Sequence, residues 1–200
     1  MDWRILYNPM AVLRRGNALL AALVVIIILM AVAWWGGEHL DGALDLHIAP
    51  TRPSAGTVAL ESLIDWFSLA ILLFAASRLF GGNGGLARHF AAAGLGRFPM
   101  ILAAVIGARQ LLGAVMLKAF AVGAKGEIVI HPEAVNAPAV IIGGLLIVGF
   151  VAWSVTMLVF GFKEVSRLQS GKLAAGFVIG IILAEIVSKL ILWGVFKIGI

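Results

Sequence analysis

Gly16-Asn17-Ala18-Leu19-Leu20-Ala21-Ala22-Leu23-Val24-Val25-Ile26-Ile27-Ile28-Leu29-Met30-Ala31-Val32-Ala33-Trp34-Trp35-Gly36-Gly37 runs for 22 residues without one charged side chain. A bilayer's hydrocarbon core, about 30 Å thick, takes roughly 20 helical residues to cross. Apolar residues fill every face of this stretch, as they do in a helix surrounded by lipid. Trp34 and Trp35 stand at its end, where indole rings anchor at the interface between hydrocarbon and headgroups. Arg14-Arg15, the apolar run and Ala31-Val32-Ala33 also imitate a cleaved leader. The run is longer than a leader's core, so a retained first span over about 18–35 is expected.

Outward from it, a second charge-free run covers Ala134–Phe162. Three more apolar stretches reach spanning length only by accepting internal charges. The sequence therefore predicts an all-α, polytopic integral membrane protein forming a single domain over 1–200. Its five spans are placed near 18–35, 57–80, 99–122, 137–162 and 173–196. Composition agrees: 62% of residues are hydrophobic, 12% are charged, and the mean hydropathy is +1.08. A soluble domain carries about 25% charged residues. Soluble enzymes, secreted disulfide scaffolds and disordered tails are thereby excluded. The absence of cysteine removes thiolate chemistry and cysteine metal sites.

The net charge of +5 and a pI near 10.1 would suggest nucleic acid in a soluble domain. Here no aromatic–basic interleaving offers a stacking surface, and no nucleic-acid partner is expected. The basic residues instead set orientation. Arg4, Arg14, Arg15, Arg78, Arg88, Arg97, Lys163, Arg167 and Lys172 fall on one side of the expected spans, against Arg52, Lys125 and Lys197 on the other. The positive-inside rule then puts the N-terminus in the cytoplasm and the C-terminus outside, as five spans require. Asp2 to Arg15 mixes aromatics, aliphatics and arginines, the pattern of a helix lying in the headgroup layer. Pro9 can open that helix.

Charges at bilayer depth cost about 2.5–3.5 kcal/mol each on insertion scales. The expected spans hold six, Glu61, Asp65, Arg109, Lys118, Glu185 and Lys189, with Gln110 beside them. Three acids balance three bases. At 1.5 Å rise per residue, Arg109 and Glu185 come out near mid-depth and are expected to touch. Asp65 or Glu61 should meet Lys118 or Lys189 above them, unless Lys118 snorkels outward. Such a network is either a path for protons or ions or the glue that fixes helix packing. The balance of signs favours glue.

Gly176, Gly180, Ala184 and Ser188 recur every fourth residue, a stripe that admits close helix approach. In the first outer loop Glu38, His39, Asp41, Asp45 and His47 are ligand types for zinc or manganese. They lack a metal-site spacing, and neither metal nor cofactor is expected. The serines lack a nucleophile–base motif, so no enzyme is expected. Gly81-Gly82-Asn83-Gly84-Gly85 fails as a phosphate loop and reads as a helix terminator. The stretch after it places Arg88, His89 and Arg97 at anionic lipid headgroups.

Several of these pieces together resemble a known family. Leu79-Phe80-Gly81-Gly82-Asn83-Gly84, a short basic stretch, and Pro99 opening the next span resemble the membrane domain of the Yip family (Ypt/Rab-interacting proteins). Asn8-Pro9, Trp153, Gly161-Phe162-Lys163-Glu164-Val165 and Gly171-Lys172-Leu173-Ala174 agree with it. The resemblance runs from about Ile5 to Phe196 and implies five spans with a cytoplasmic N-terminus. The eukaryotic members' N-terminal acidic Tyr-Gly-Pro motif is absent, so a Rab-type GTPase partner is not expected. The compact chain looks like the bacterial branch. For that branch the resemblance implies an accessory protein of the inner membrane, whose partners are lipids and other membrane proteins such as subunits of ABC-type exporters. The other reading is a small transporter or lipid-moving protein that uses its intramembrane charges.

Overall fold

A computed structural model describes residues 2–13, 15–48, 51–122, 128–130 and 136–196. A 3-10 turn, Trp3–Leu6, leads into the one-turn α1, Pro9–Val12. The long helices follow as α2 (Arg15–Gly36), α3 (Ala55–Leu79), α4 (Leu86–Gly96), α5 (Phe98–Gly107), α7 (Ala137–Ser166) and α8 (Ser170–Phe196), with the shorter α6 (Leu112–Ala119) after α5. Two short antiparallel hairpins fill connections, β1 (Glu38–His39) with β2 (His47–Ile48), and β3 (Phe120–Val122) with β4 (Ile128–Ile130). Among the described residues five helical segments are long and apolar enough to cross a membrane: Gly16–Gly36, Ala55–Leu79, Leu86–Gly107, Ala137–Ser166 and Ser170–Gly194.

Local chemistry sets the ends. The Ser54 hydroxyl accepts from the Thr57 amide at 3.0 Å and caps α3. Asn136 does the same for Ala139 at 3.3 Å, starting α7 with Pro138 in its first turn. Past α3, Gly81 takes a φ of +87°, which a residue with a Cβ rarely adopts.

The third span differs from the sequence-based expectation. The third helical segment long and apolar enough to cross is 86–107, against the expected 99–122, and Pro99 lies in its middle. The helix breaks there, between α4 and α5, because Pro99 has no amide to continue the ladder and its ring crowds the preceding turn. Arg97 sits in the break with φ −86° and ψ 0°, its amide bonded to the Gly94 carbonyl at 3.1 Å. The stretch expected to lie on headgroups, Leu86–Gly96, is thus the first half of a span. Its Ala91, Ala92, Ala93 and Gly94 are buried against α2, α3 and α7, making α4–α5 the centre of the bundle. Small side chains permit that close approach. Helix α8 packs chiefly along α3.

The N-terminal segment, expected in the headgroup layer, packs against the helices. The Trp153 indole donates to the Leu6 carbonyl at 2.5 Å, and the Tyr7 ring meets Phe160 edge-on at 5.4 Å. Trp153 lies 13 residues before the end of α7 at Ser166, or about 20 Å along the helix. The segment therefore stands against the flank of α7. Ile5, Leu6, Pro9 and Leu13 close an apolar cavity of about 340 Å³ there.

Candidate functional site: a polar layer closed by the first loop

The turn after α2 needs glycine, since Gly37 has a φ of +72° and lies against the Arg109 side chain. The chain then forms the β1–β2 hairpin, pairing Glu38 with Ile48 and His39 with His47. Between those strands the loop does not stay outside. Leu40, Gly42 and Ala43 are buried among the helices.

A loop inside a bundle brings backbone donors and acceptors that must be bonded there. The charged residues of α3, α8 and the α4–α5 break supply the partners. Glu61 accepts from the Leu40 amide at 3.1 Å and faces His39 Nδ1 at 2.5 Å. Glu185 Oε2 accepts from the Ala43 amide at 2.8 Å. Arg97 Nη2 donates to the Gly42 carbonyl at 2.9 Å and to Asp65 Oδ2 at 3.2 Å. Arg97 and Asp65 are both 0% exposed. Nearer the end of the bundle, Lys189 Nζ bridges Asp45 at 2.8 Å and Glu185 at 3.1 Å. Gly42 is tied to this arrangement, because a Cβ there would run into the Glu185 carboxylate.

Four of the expected network residues, Glu61, Asp65, Glu185 and Lys189, thus lie around the loop that links them. Glu185, expected to meet Arg109, is engaged with the Ala43 amide and Lys189. Arg109 follows the end of α5 and its amide bonds the Gly36 carbonyl at 2.8 Å, a consequence of the shifted third span. Gln110 is also past that span and donates to the Trp35 carbonyl at 3.1 Å. The Lys118 side chain lies outside the described residues. The intramembrane cation that sequence reasoning missed is Arg97, assigned there to headgroups. Its signal was available: it is the one charge between Phe90 and Gly107, two residues before a proline.

Outside the spans, burial pushes the Glu38 carboxyl up to about 8. Burial also raises Asp41, but its hydrogen bond and charge pairing with His47 outweigh this and leave it below the usual range. The same bond lifts His47 above its ordinary value. Asp41, Asp45 and His47 place ligand atoms within 4.8 Å of one another. Each is already engaged, Asp41 with His47 and Asp45 with the Lys189 ammonium.

At the other end of the bundle the glycine loop is a joint. A Cβ on Gly82 or Gly84 would strike the backbone of Ser166 or Val165 at the end of α7. Arg78 donates to the Gly82 and Gly84 carbonyls at 3.3 and 3.1 Å. In the small-residue stripe, Gly176 lies against Phe80 and Phe162, and Gly180 against Leu73 and Ala76 of α3. Ala184 and Ser188 are buried further along. The stripe therefore serves packing inside the bundle.

No curated protein and no solved structure shows a significant match to the chain. A family model does: the Yip1 domain matches residues 4–192, which takes in the glycine joint, the broken span, the charged layer and nearly all of α8. Five membrane-length helices and that near-complete match lead to one statement, that this chain belongs to the Yip1 domain family.

Proposed function

We propose that this Yip1-domain protein is a non-enzymatic accessory of other membrane proteins, binding and organising them within the bilayer. ABC-type export complexes of a bacterial inner membrane are the candidate assembly. The observation that carries the reading is that the intramembrane charges are engaged with one another and with the first loop. A transporter must release and rebind such groups as cargo passes. On the N-terminal side of that layer the bundle is filled by apolar contacts, including Leu69, Leu73, Leu158 and Phe162. The orientation that fits is N-terminus in the cytoplasm. Arg4, Arg14, Arg15, Arg78, Arg88, Lys163, Arg167 and Lys172 cluster by sequence at that end, while Glu38, Asp41 and Asp45 lie at the other.

Exposed apolar side chains on the outer half of α7, among them Ile141, Ile142, Leu145 and Val148, offer surface to lipid or a partner helix. Purification from native membranes in mild detergent tests the proposal. A partner membrane protein retained in fixed ratio, with no flux through the chain reconstituted alone, is the expected result. Flux that Glu185→Gln abolishes at unchanged expression would replace it with the transporter reading.

A further inference from the structure

The Arg97–Asp65 pair is incompletely bonded. Arg97 Nε and Nη1, Asp65 Oδ1 and Ser62 Oγ are buried without a hydrogen-bond partner among the described residues. Ser62 precedes Asp65 by one helical turn, so the two share a face of α3. Three residues in one small region thus present both donors and acceptors with nothing to meet them. Native interiors leave few such atoms, and water is the usual partner where they cluster.

The surroundings supply an approach. Beside the first loop an open cavity of about 360 Å³ is bordered by Leu44, Asp45, Ile181, Ile182 and Glu185. Glu185 touches Gly42, and the Gly42 carbonyl is bonded to Arg97. Exposure falls along that line, from 40% at Asp45 and 33% at Glu185 to 0% at Asp65 and Arg97. Beyond Asp65, on the same face of α3, Leu69 and Leu73 are apolar and buried.

We propose that the bundle holds an internal water-binding site at Ser62, Asp65 and Arg97, filled from the first-loop end and stopped at Leu69. It is a blind, hydrated pocket. Water serves there as the ligand that completes the guanidinium and the carboxylate, whose donors and acceptors no single ion would satisfy together. The site does not depend on the accessory reading, because a scaffold and a transporter could each contain it.

The chain has no cysteine, so a single introduced thiol reports alone. Ser62→Cys, Leu63→Cys and Leu69→Cys are reconstituted in lipid vesicles and treated with a small, water-soluble methanethiosulfonate. The thiolate attacks the reagent's sulfenyl sulfur, forming a mixed disulfide and expelling methanesulfinate. Apolar surroundings suppress thiolate formation, so Ser62→Cys should react about tenfold or more faster than the other two. Equal rates at Ser62 and Leu69 in folded protein would overturn the proposal. Radiolytic hydroxyl labelling of the unaltered chain provides the second measurement, since bound water marks its neighbours wherever they are buried. Label on residues 62–65 and 40–43, with none on 69–73, is expected. Absence of label at 62–65 would overturn the proposal even if Ser62→Cys fails to fold.

Discussion

Arg97 has no exposure to solvent or lipid, and its charged partner Asp65 is equally enclosed. Removing one member of such a pair leaves the other charge buried alone, which typically costs about 3–5 kcal/mol. Arg97→Met should therefore lower stability in detergent by that order, and Asp65→Leu by a similar amount. The double substitution should recover part of the loss, because an apolar pair needs no hydration. Thermal unfolding of the three variants checks this, and additive losses would contradict the pairing. Glu38 gives a second test. Its carboxyl, 1% exposed, is held up to about 8 by burial, above the ordinary 4.5. The folded state then binds a proton more tightly than the unfolded chain. The resulting stabilisation is complete below about 4.5, declines as pH rises and is lost above about 8. The stability difference between wild type and Glu38→Gln should follow that window, with the wild type losing ground toward alkaline pH.

Among the elements, the broken third span organises the rest, and it is where sequence and structure part. Pro99 looks like a helix start because proline is at home there. The run from it to Val122 is also more apolar than Leu86–Gly96, with its Arg88 and His89. Hydropathy, however, reports contact with lipid. Leu86–Gly107 is the most enclosed of the five spans, 67% buried over its most apolar window, so alanine and glycine serve it better than leucine. The two charge-free runs were legible because lipid surrounds them. The acids and lysine of the polar layer were legible as misplaced charges. Their partner loop was not, since a loop leaves no periodicity in sequence. Glycines separate the same way: a Cβ on Gly180 would lie within 3.3 Å of Leu73 and Ala76, whereas nothing approaches the Cβ position of Gly144. Gly180→Ala should cost about 1–3 kcal/mol through overpacking. Gly144→Ala should be neutral or stabilise by up to about 1 kcal/mol. Thermal unfolding of the two variants side by side reads the difference.

For the whole molecule, the layer at one end and the glycine joint at the other divide the labour of holding five spans together. The polar end draws the first loop into the bundle, while the basic end ties the turn after α3 to the end of α7 through backbone contacts too close for any side chain. This leaves the exposed apolar sides of α2, α7 and α8 as surfaces for lipid or neighbouring helices. Trp153→Phe should free the N-terminal segment from α7 while leaving the bundle intact, seen as faster proteolysis within 2–13 at unchanged melting temperature. The account depends most on where the third span crosses. Gln110 stands just past α5 and is exposed, whereas a crossing over 99–122 would place it in mid-membrane. In the cysteine-free chain, Gln110→Cys should react with a membrane-impermeant maleimide applied to the face opposite the N-terminus. A thiol sealed from both faces, or reached only from the N-terminal side, would contradict the buried Arg97 and the architecture built around it.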